Sequence, residues 1–251
     1  MEKPQPFGGR VALVTGASRG IGAALSVALA ERGAHVIAIA RGVDGLQEVH
    51  KAIGAAGGTC TLVPLDLADA DAIARLAATI ERQYGKLDIL VGNAGIPGPN
   101  VAVQDADPAD WAQVLAINLT ANWHLIRHMH PLLKRSDAGR AVFMSSSAVR
   151  QARADRGIYA VAKAGLESLV RAYAAANLDS PLRINLVNPG PVRTQMRRTV
   201  APQEDPMSLD TPQQCAEHFV QLCMPGLQDT GRLYDYPTRG YMEFSKPSVP
   251  A

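Results

Sequence analysis

The sequence has few cysteines, and none of them lies in a pattern that forms disulfides or binds metal. Its three cysteines, Cys60, Cys215 and Cys223, are an odd number and widely spaced, and no C-x-x-C pair occurs. This usage suits a reducing compartment in which thiols stay free, and it argues against a disulfide framework or a zinc site. We therefore expect no metal centre.

The sequence also lacks a strong net charge and a long apolar run. Its 25 basic and 23 acidic side chains leave a net charge of only +2, which gives no sign of the basic patch that a nucleic-acid surface needs. No uninterrupted apolar run reaches the length of a membrane span, and residues 1–10 lack the apolar core of a secretory signal. We expect a soluble cytoplasmic protein that binds neither nucleic acid nor membrane.

Apolar strands alternate with helices along most of the 251 residues. Strands are predicted at residues 11–15, 35–40, 61–65, 87–91, 141–145 and 183–187, and helices at 23–32, 43–56, 70–84, 111–133 and around Tyr159. Wholly apolar strands that alternate with helices are typical of a parallel sheet covered on both faces. No repeat or linker divides the chain, so we predict a single-domain α/β fold over residues 1–251, a Rossmann-type doubly wound parallel sheet.

The alternation stops in the last quarter of the chain. Residues 193–210 have mixed polarity and contain prolines, which predicts an irregular excursion with little continuous helix. Thr211 is predicted to cap a further helix whose first residue is Pro212. The polar, proline-containing end predicts a flexible tail over about residues 240–251.

A glycine-rich turn follows the first predicted strand at once. Gly16, Gly20 and Gly22 lack a Cβ atom, so a pyrophosphate can approach the backbone and the N-terminus of the next helix. The spacing is G-x-x-x-G-x-G and differs from the commoner G-x-G-x-x-G fingerprint. A turn that merely closes a strand onto a helix is the alternative. The position directly after the first strand favours dinucleotide binding.

Two arginines indicate which dinucleotide. A cofactor without a 2′-phosphate is usually held by an acidic side chain at the end of the second strand. Here Ala40 and Arg41 occupy that point, and Arg19 lies within the glycine turn. Guanidinium groups bind phosphate through two hydrogen bonds, which favours NADP(H) over NAD(H). Two solvated surface arginines are the alternative.

Tyr159 and Lys163 are four residues apart on a predicted helix and therefore share one of its faces. The ordinary pKa of tyrosine, about 10, is too high for a base at neutral pH, but a nearby cation lowers it. Such a pair can move a proton on or off a substrate oxygen. The serines at 145–147 end a strand, where a hydroxyl can donate to a substrate carbonyl or simply cap a turn.

Several motifs together resemble the short-chain dehydrogenase/reductase family over about residues 10–194. They are Thr15-Gly16-Ala17-Ser18-Arg19-Gly20-Ile21-Gly22, Asn93-Ala94-Gly95, Asn118, Ser146, Tyr159-x-x-x-Lys163 and Asn188-Pro189-Gly190. The stretches at 136–139 and 204–206 are similar to the uncharacterised YciK-type branch of that family, which implies no substrate. Gly92 and Ala162 depart mildly from the family pattern, and neither departure removes a catalytic group.

The resemblance implies a role for each matched residue. Tyr159 would be the acid/base, and Lys163 would hold the nicotinamide ribose and lower the tyrosine pKa. Ser146, thirteen residues before Tyr159, would orient the carbonyl, and Asn118 would support the water chain that reprotonates the site. The cofactor-binding residues would be Gly16, Ser18, Arg19, Gly20, Ile21, Gly22, Arg41, Asp66, Leu67, Asn93, Ala94, Gly95, Tyr159, Lys163, Pro189, Gly190, Val192 and Thr194.

These roles predict an NADP(H)-dependent oxidoreductase that transfers hydride between its nicotinamide cofactor and a carbonyl or alcohol. The resemblance also implies a homodimer or homotetramer. Residues 193–210 are predicted to form a substrate lid that is poorly ordered until cofactor binds. A dinucleotide-binding regulatory or scaffold protein is the main alternative, and an epimerase on the same scaffold is another.

Six arginines border the predicted substrate mouth, namely Arg150, Arg153, Arg156, Arg193, Arg197 and Arg198. Converging guanidinium groups suit a carboxylate or phosphate, so an anionic substrate is a hypothesis. A solvated basic rim, neutralised in part by Glu204 and Asp205, is the alternative. His124 and His128 are four residues apart with His130 nearby, but no further metal ligands accompany them, and we predict that they lie near a subunit interface.

Overall fold

The structure is a computed structural model that describes residues 5–151, 153–242 and 244. Eight strands occur in this described part of the chain: β1 (Val11–Thr15), β2 (His35–Ala40), β3 (Thr59–Pro64), β4 (Ile89–Gly92), β5 (Arg140–Met144), β6 (Arg183–Asn188), β7 (Leu233–Asp235) and β8 (Gly240–Met242). The α-helices described alongside them are α1 (Gly20–Glu31), α2 (Val43–Ala55), α3 (Ala70–Tyr84), α4 (Pro108–Leu115), α5 (Ala121–Leu133), α6 (Gly157–Ala175), α7 (Gln195–Val200) and α8 (Pro212–Phe219).

All of these strands form one sheet in the order β3-β2-β1-β4-β5-β6-β7-β8. Strands β1 to β7 pair in parallel, and β8 is antiparallel to β7. Because β1 pairs with both β2 and β4, the chain changes direction across the sheet beside β1. A ligand crevice is expected outside the carboxyl ends of the strands at such a point. The predicted single-domain, doubly wound α/β fold is confirmed.

Helices cover both faces of the sheet, which explains why the strands are apolar throughout. Along β1, Ala12 and Val14 pack into one core together with residues of α1, α2 and α8, whereas Val11 and Leu13 pack into a second core with α3, α5 and α6. Successive strand residues point to opposite faces, so a strand buried on both faces carries no polar alternation.

Two segments differ from the sequence-based expectation, and a third agrees with it. The helix predicted at 111–133 is two helices, α4 and α5, joined by a π-helical turn at Ala116–Thr120. The predicted irregular segment after 193 contains the six-residue helix α7, capped by the Thr194 hydroxyl. The helix predicted after Thr211 is confirmed, because the Thr211 and Gln214 side chains form a reciprocal capping box at the start of α8.

The flexible tail predicted from residue 240 is wrong at its start. Residues Gly240–Met242 form β8, which pairs with β7, and the rings of Tyr234 and Tyr241 lie 5.8 Å apart across the pair. The segment is therefore ordered by backbone pairing with β7, although the Tyr241 side chain is 38% exposed. Residues 243 and 245–251, on which the rest of this prediction falls, lie outside the described residues. No helix in the described part is both long and apolar enough to cross a membrane.

Candidate active site

The glycine turn leaves the N-terminus of α1 open. Gly16 and Gly20 have φ angles of +64° and +59°, in the left-handed region that favours glycine. Arg19 is the N-cap residue of α1, and in the described structure its side chain forms no capping hydrogen bond. The first turn of α1 contains no acidic residue. The first backbone N–H groups and the positive end of the helix dipole are therefore available to an anion.

A cavity of about 480 Å³ opens next to this turn, at the carboxyl ends of the central strands. Its size is within the range of small-molecule and cofactor sites. Most of the residues predicted to bind cofactor line it: Gly16, Ser18, Arg19, Gly20, Ile21, Arg41, Asp66, Leu67, Asn93, Ala94, Gly95, Tyr159, Lys163, Pro189 and Thr194.

Three predicted cofactor residues lie outside this lining. A Cβ atom on Gly22 would lie 2.4 Å from both the Asn93 Nδ2 atom and the Gly16 carbonyl oxygen, so this glycine is required for packing of the turn. Gly190 has a φ of +63° and packs against Pro237, and Val192 is buried in the core. These three residues therefore contribute to the packing around the cavity and not to its lining.

Several lining residues carry no sequence signal of their own. Ile96, Pro97, Ile117 and Met196 are apolar and lie in loops, in the π-helical turn or in α7. Gln195 and Thr199 of α7 also line the cavity. Gln195, Met196 and Thr199 fall within the segment 193–210 that was predicted as a lid, whereas sequence reasoning missed Ile96, Pro97 and Ile117, because their places depend on the path of loops that no motif specifies.

Hydrogen bonds of Thr15 and Asn93 join the end of β1 to the loop after β4, next to the cavity. The Thr15 hydroxyl accepts the N–H groups of Asn93 and Ala94 at 3.0 Å each, and it donates to the Val91 carbonyl at 3.2 Å. The Asn93 amide donates back to the Thr15 carbonyl at 2.8 Å. These bonds fix the loop after β4 against the end of β1.

Two guanidinium groups line the cavity. They belong to Arg19 and Arg41, and Ala40 ends β2 at the point where proteins that bind NAD(H) usually carry an acidic residue. Asp66 is the only carboxylate among the described lining residues, and its Oδ1 atom accepts the Ala68 N–H at 3.0 Å. The cavity therefore contains groups suited to binding phosphate.

Tyr159 and Lys163 lie one turn apart on α6, as predicted, and both face the cavity. The Lys163 ammonium lies 5.8 Å from the centroid of the Tyr159 ring and donates to the Met144 carbonyl at 2.6 Å. Lys163 is only 3% exposed. Burial lowers its pKa to about 8, because the charged form loses its hydration.

The environment of Tyr159 raises its pKa instead of lowering it, contrary to the effect attributed to Lys163. Burial disfavours the phenolate, while the hydrogen bond with the Ser146 hydroxyl and the Arg156 charge oppose this effect without overcoming it. The Arg156 Cζ atom lies 5.0 Å from the ring centroid, closer than the Lys163 ammonium. Tyr159 is therefore protonated at neutral pH.

The three consecutive serines have different neighbours. The Ser145 hydroxyl donates to the buried Glu167 carboxylate at 2.5 Å, whereas the Ser146 hydroxyl is hydrogen-bonded to Tyr159 and also accepts the Ala148 N–H at 3.2 Å. Ser146, the residue selected by its spacing from Tyr159, is thus the serine next to the phenol.

Asn118 lies in the π-helical turn and is fully buried. Its side chain makes two bonds to the backbone of Ile96, accepting the N–H at 2.8 Å and donating to the carbonyl at 2.9 Å. Asn118 therefore fixes the loop after β4. π-helical turns occur frequently at functional sites.

Most of the mouth arginines have a partner within the protein. The Arg150 Nη2 atom donates to both carboxylate oxygens of Glu167, a bidentate ion pair joins Arg197 to Glu204, and Arg153 pairs with Asp155. Arg193 donates to the Leu209 carbonyl at 3.0 Å, and Arg156 donates to the Asn100 side-chain oxygen at 2.7 Å.

The histidines of α5 show no metal geometry. The His124 and His128 rings stack with centroids 6.2 Å apart, next to the partly exposed Trp123. In the described part of the chain, no group of three or more potential ligands could hold a metal ion.

Known proteins are similar to this one in fold and in sequence. The model of the family described as short chain dehydrogenase matches residues 10–205. The chain is 37% identical over 206 residues to the oxidoreductase YciK of Escherichia coli (strain K12), covering 81% of each chain. It is 36% identical over 230 residues to cis-4-hydroxycyclohexanecarboxylate dehydrogenase of Sinomonas cyclohexanicum, covering 87% of this chain and 90% of that one.

A solved structure agrees with these matches. The short chain dehydrogenase of Shigella flexneri 2a str. 301, complexed with NADP, superposes with a TM-score of 0.87 at 36% identity, covering 94% of this chain and 100% of that one. The protein belongs to the short-chain dehydrogenase family of oxidoreductases. The resemblance to the YciK-type branch is likewise confirmed.

Proposed function

We propose that this protein is an NADP(H)-dependent oxidoreductase that transfers hydride between the cofactor and the carbonyl or alcohol group of a small molecule. One observation carries the proposal: a single cavity is lined both by Tyr159 and Lys163 and by Arg19 and Arg41. A proton donor and phosphate-binding groups thus belong to the same site.

The residues of the cavity suit NADP(H). The open N-terminus of α1 suits the pyrophosphate, and the absence of a side-chain cap among the described residues leaves its N–H groups free for it. Arg19 and Arg41 would hold a 2′-phosphate, and Asp66 with Leu67 would contact the adenine. The NADP complex of the Shigella flexneri relative supports the same choice.

In the proposed reaction Tyr159 gives its phenolic proton to the substrate oxygen. The bound nicotinamide supplies the hydride that the carbonyl carbon receives. Burial keeps the Tyr159 pKa above its usual value, so the phenol is protonated at neutral pH, which is the form that carbonyl reduction needs. The Ser146 hydroxyl, next to the phenol, would orient the carbonyl and stabilise the negative charge that develops on its oxygen.

Lys163 would hold the cofactor ribose and restore the proton. Its ammonium already donates to the Met144 carbonyl, so its position is defined by β5 as well as by α6. A pKa of about 8 lets it exchange a proton near neutral pH. Asn118 would contribute indirectly, by keeping the Ile96 loop in place beside this lysine.

The charge of the substrate stays a prediction. Arg150, Arg153 and Arg197 are paired with carboxylates, which favours the basic-rim interpretation for these three side chains. The relative from Sinomonas cyclohexanicum is named for a carboxylate substrate, which supports the anionic alternative. An unchanged KM of Arg197→Ala for a charged substrate would remove Arg197 from that hypothesis.

A regulatory or scaffold protein on the same fold is the rival proposal. A protein that only senses a dinucleotide has no need of an acid/base pair, whereas Tyr159 and Lys163 line this cavity and Ser146, which lies outside the lining, is next to the phenol. The cytoplasmic location and the homo-oligomeric state are further proposals, and gel filtration with light scattering tests the second.

The first experiment is a fluorescence titration of the purified protein with NADPH and, separately, with NADH. We expect tighter NADPH binding, which Arg41→Ala weakens selectively, since the guanidinium group would contact only the 2′-phosphate. Arg75→Ala is the matched control, because Arg75 is exposed and pairs with Asp69 away from the cavity. Equal binding of both nucleotides would refute the cofactor assignment.

A screen of carbonyl compounds for NADPH consumption follows. Tyr159→Phe keeps the ring but removes the proton donor, so we expect it to abolish turnover while cofactor binding persists. Turnover that survives Tyr159→Phe would exclude Tyr159 as the acid. Absence of binding for either nucleotide would favour a scaffold role.

A further inference from the structure

The charge nearest to the Tyr159 ring belongs to a residue with no assigned role. Arg156 precedes the first residue of α6, three positions before Tyr159, and its Cζ atom lies 5.0 Å from the ring centroid. Residues three apart at the start of a helix share a face, so the guanidinium group and the phenol face each other.

Two contacts with a separate loop hold Arg156 in place. Its Nη1 atom donates to the Asn100 side-chain oxygen at 2.7 Å, and its backbone forms a β-bridge with Val101. Arg156 is only 8% exposed. A long side chain that is both buried and hydrogen-bonded at its tip keeps one conformation, so the position of its charge is fixed.

Arg156 forms no direct ion pair with any described residue, although Asp155 acts on its charge from a greater distance. Among the described residues no carboxylate lies within 4.0 Å of its guanidinium group, whereas Arg150, Arg153 and Arg197 each have such a partner. Asn100 is a neutral acceptor and leaves the full charge in place. An uncompensated buried cation is costly, which argues that it is retained for an electrostatic purpose.

We propose that Arg156 is a positioning residue whose guanidinium group, anchored by Asn100, supplies the fixed positive charge that stabilises the Tyr159 phenolate. This inference rests on the proposed acid/base role of Tyr159. The Lys163 ammonium lies 5.8 Å from the ring centroid and donates a hydrogen bond to the Met144 carbonyl. Arg156 stays charged over the whole working pH range, whereas Lys163 loses its charge around pH 8.

Other charged and titratable groups surround this pair. The Ser146 hydroxyl approaches Tyr159 from the end of β5 and also favours the phenolate. Asp155, Arg153 and Arg197 act on Arg156 from the preceding loop and from α7, with opposing signs. Since Arg153 and Arg197 are ion-paired, their fields are partly neutralised.

The test measures the ionisation of Tyr159 directly. Tyrosines are replaced biosynthetically with 3-fluorotyrosine, which is more acidic, so that ionisation can be followed by fluorine NMR while the protein stays folded. The Tyr159→Phe variant identifies the signal. Arg156→Met should raise the pKa of Tyr159 by about one unit, the lower end of the roughly 1–3 units for a nearby opposite charge, because the 5.0 Å distance runs to the ring centroid.

Two further variants and a control complete the design. Arg156→Lys should restore at least half of the shift, and Asn100→Ala should cause a smaller rise because the guanidinium group is released towards water. Either variant tests the proposal if Arg156→Met does not fold. Arg153→Met, in the same loop but paired with Asp155, should leave the Tyr159 pKa unchanged.

A kinetic readout separates this role from a structural one. In Arg156→Met the pH at which kcat/KM for alcohol oxidation is half-maximal should move upward by the same amount. A lower plateau at an unchanged midpoint would overturn the proposal, as would an unshifted fluorine titration. If the wild-type protein oxidises no alcohol but the fluorine shift is observed, the proposed function fails while the electrostatic inference stands.

Discussion

Replacing Lys163 with methionine should stabilise the protein in the absence of cofactor. Lys163 is 3% exposed, and its ammonium donates to one backbone carbonyl, that of Met144. No carboxylate among the described residues forms an ion pair with it. Methionine has a similar unbranched length and no charge, so it occupies the same space without the cost of burying an ammonium group.

The size of the effect follows from the pKa of Lys163. Burial lowers this pKa from 10.5 to about 8, and each unit corresponds to about 1.4 kcal/mol, so burial of the charged form costs about 3 kcal/mol. The Met144 carbonyl loses its donor in the variant, which costs about 1 kcal/mol. The net gain is about 2 kcal/mol, or roughly 4–8 °C in Tm for a chain of this size.

The gain has a defined pH dependence. Because the folded-state pKa of Lys163 lies below the unfolded-state value, the cost is complete below pH 8 and disappears as the pH rises from about 8 to 10.5. The wild-type protein therefore gains stability relative to Lys163→Met over this window. The difference in Tm between the two proteins should be largest at pH 7 and should disappear near pH 10.5.

The measurement is thermal unfolding followed by circular dichroism at several pH values. Protein concentration is held constant and cofactor is omitted, since ligands and association both change Tm. Lys51→Met is the matched control: its side chain is 72% exposed, so its Tm should change little at any pH. A lower Tm for Lys163→Met at pH 7, or a pH-independent difference, would refute the reasoning.

Three further predictions concern the turn, the core and the predicted lid. Gly22→Ala should lower Tm and weaken NADPH binding at least tenfold (fluorescence titration), because its Cβ atom would lie 2.4 Å from the Asn93 amide; unchanged affinity would contradict this packing argument. Asp88→Ala should lower the free energy of unfolding by about 1–3 kcal/mol (urea denaturation), since it leaves the buried Val11 N–H and the Ser136 hydroxyl without their acceptor, and an unchanged free energy would argue against it. Arg197→Gln removes the half-buried ion pair with Glu204, so we expect faster hydrogen exchange in α7 with a change below about 1 kcal/mol in overall stability; unchanged exchange would show that the pair does not hold α7.

The fold was predictable where the strands are buried on both faces. The predicted bounds of β1 and β2 match the structure. Both strands carry short, mainly apolar runs, which are typical of a sheet covered on both faces. β7 has only three residues and includes Asp235, which accepts a hydrogen bond from the Asn188 side chain at 2.6 Å inside the protein. Asn188 and Asp235 face each other on the neighbouring strands β6 and β7 but are far apart in the sequence, so the apolar pattern that would predict a strand at β7 is missing.

The candidate site was predictable only where chemistry depends on spacing along one element. The Tyr159 and Lys163 pair follows from helical periodicity, and the glycine turn follows from its position after β1. The π-helical turn that contains Asn118 had no such signal, because its geometry depends on the loop that its side chain holds.

Periodicity alone also cannot say which cation acts on Tyr159, since residues three before and four after a position share its face. The structure separates the two candidates through atoms that lie far away in the sequence. The Met144 carbonyl of β5 holds the Lys163 ammonium, and the Asn100 side chain holds the Arg156 guanidinium group against the phenol. The electrostatics of the tyrosine therefore depend on one strand end and one loop. For this reason, variants at Asn100 should alter the ionisation of Tyr159 although neither motif nor periodicity connects the two residues.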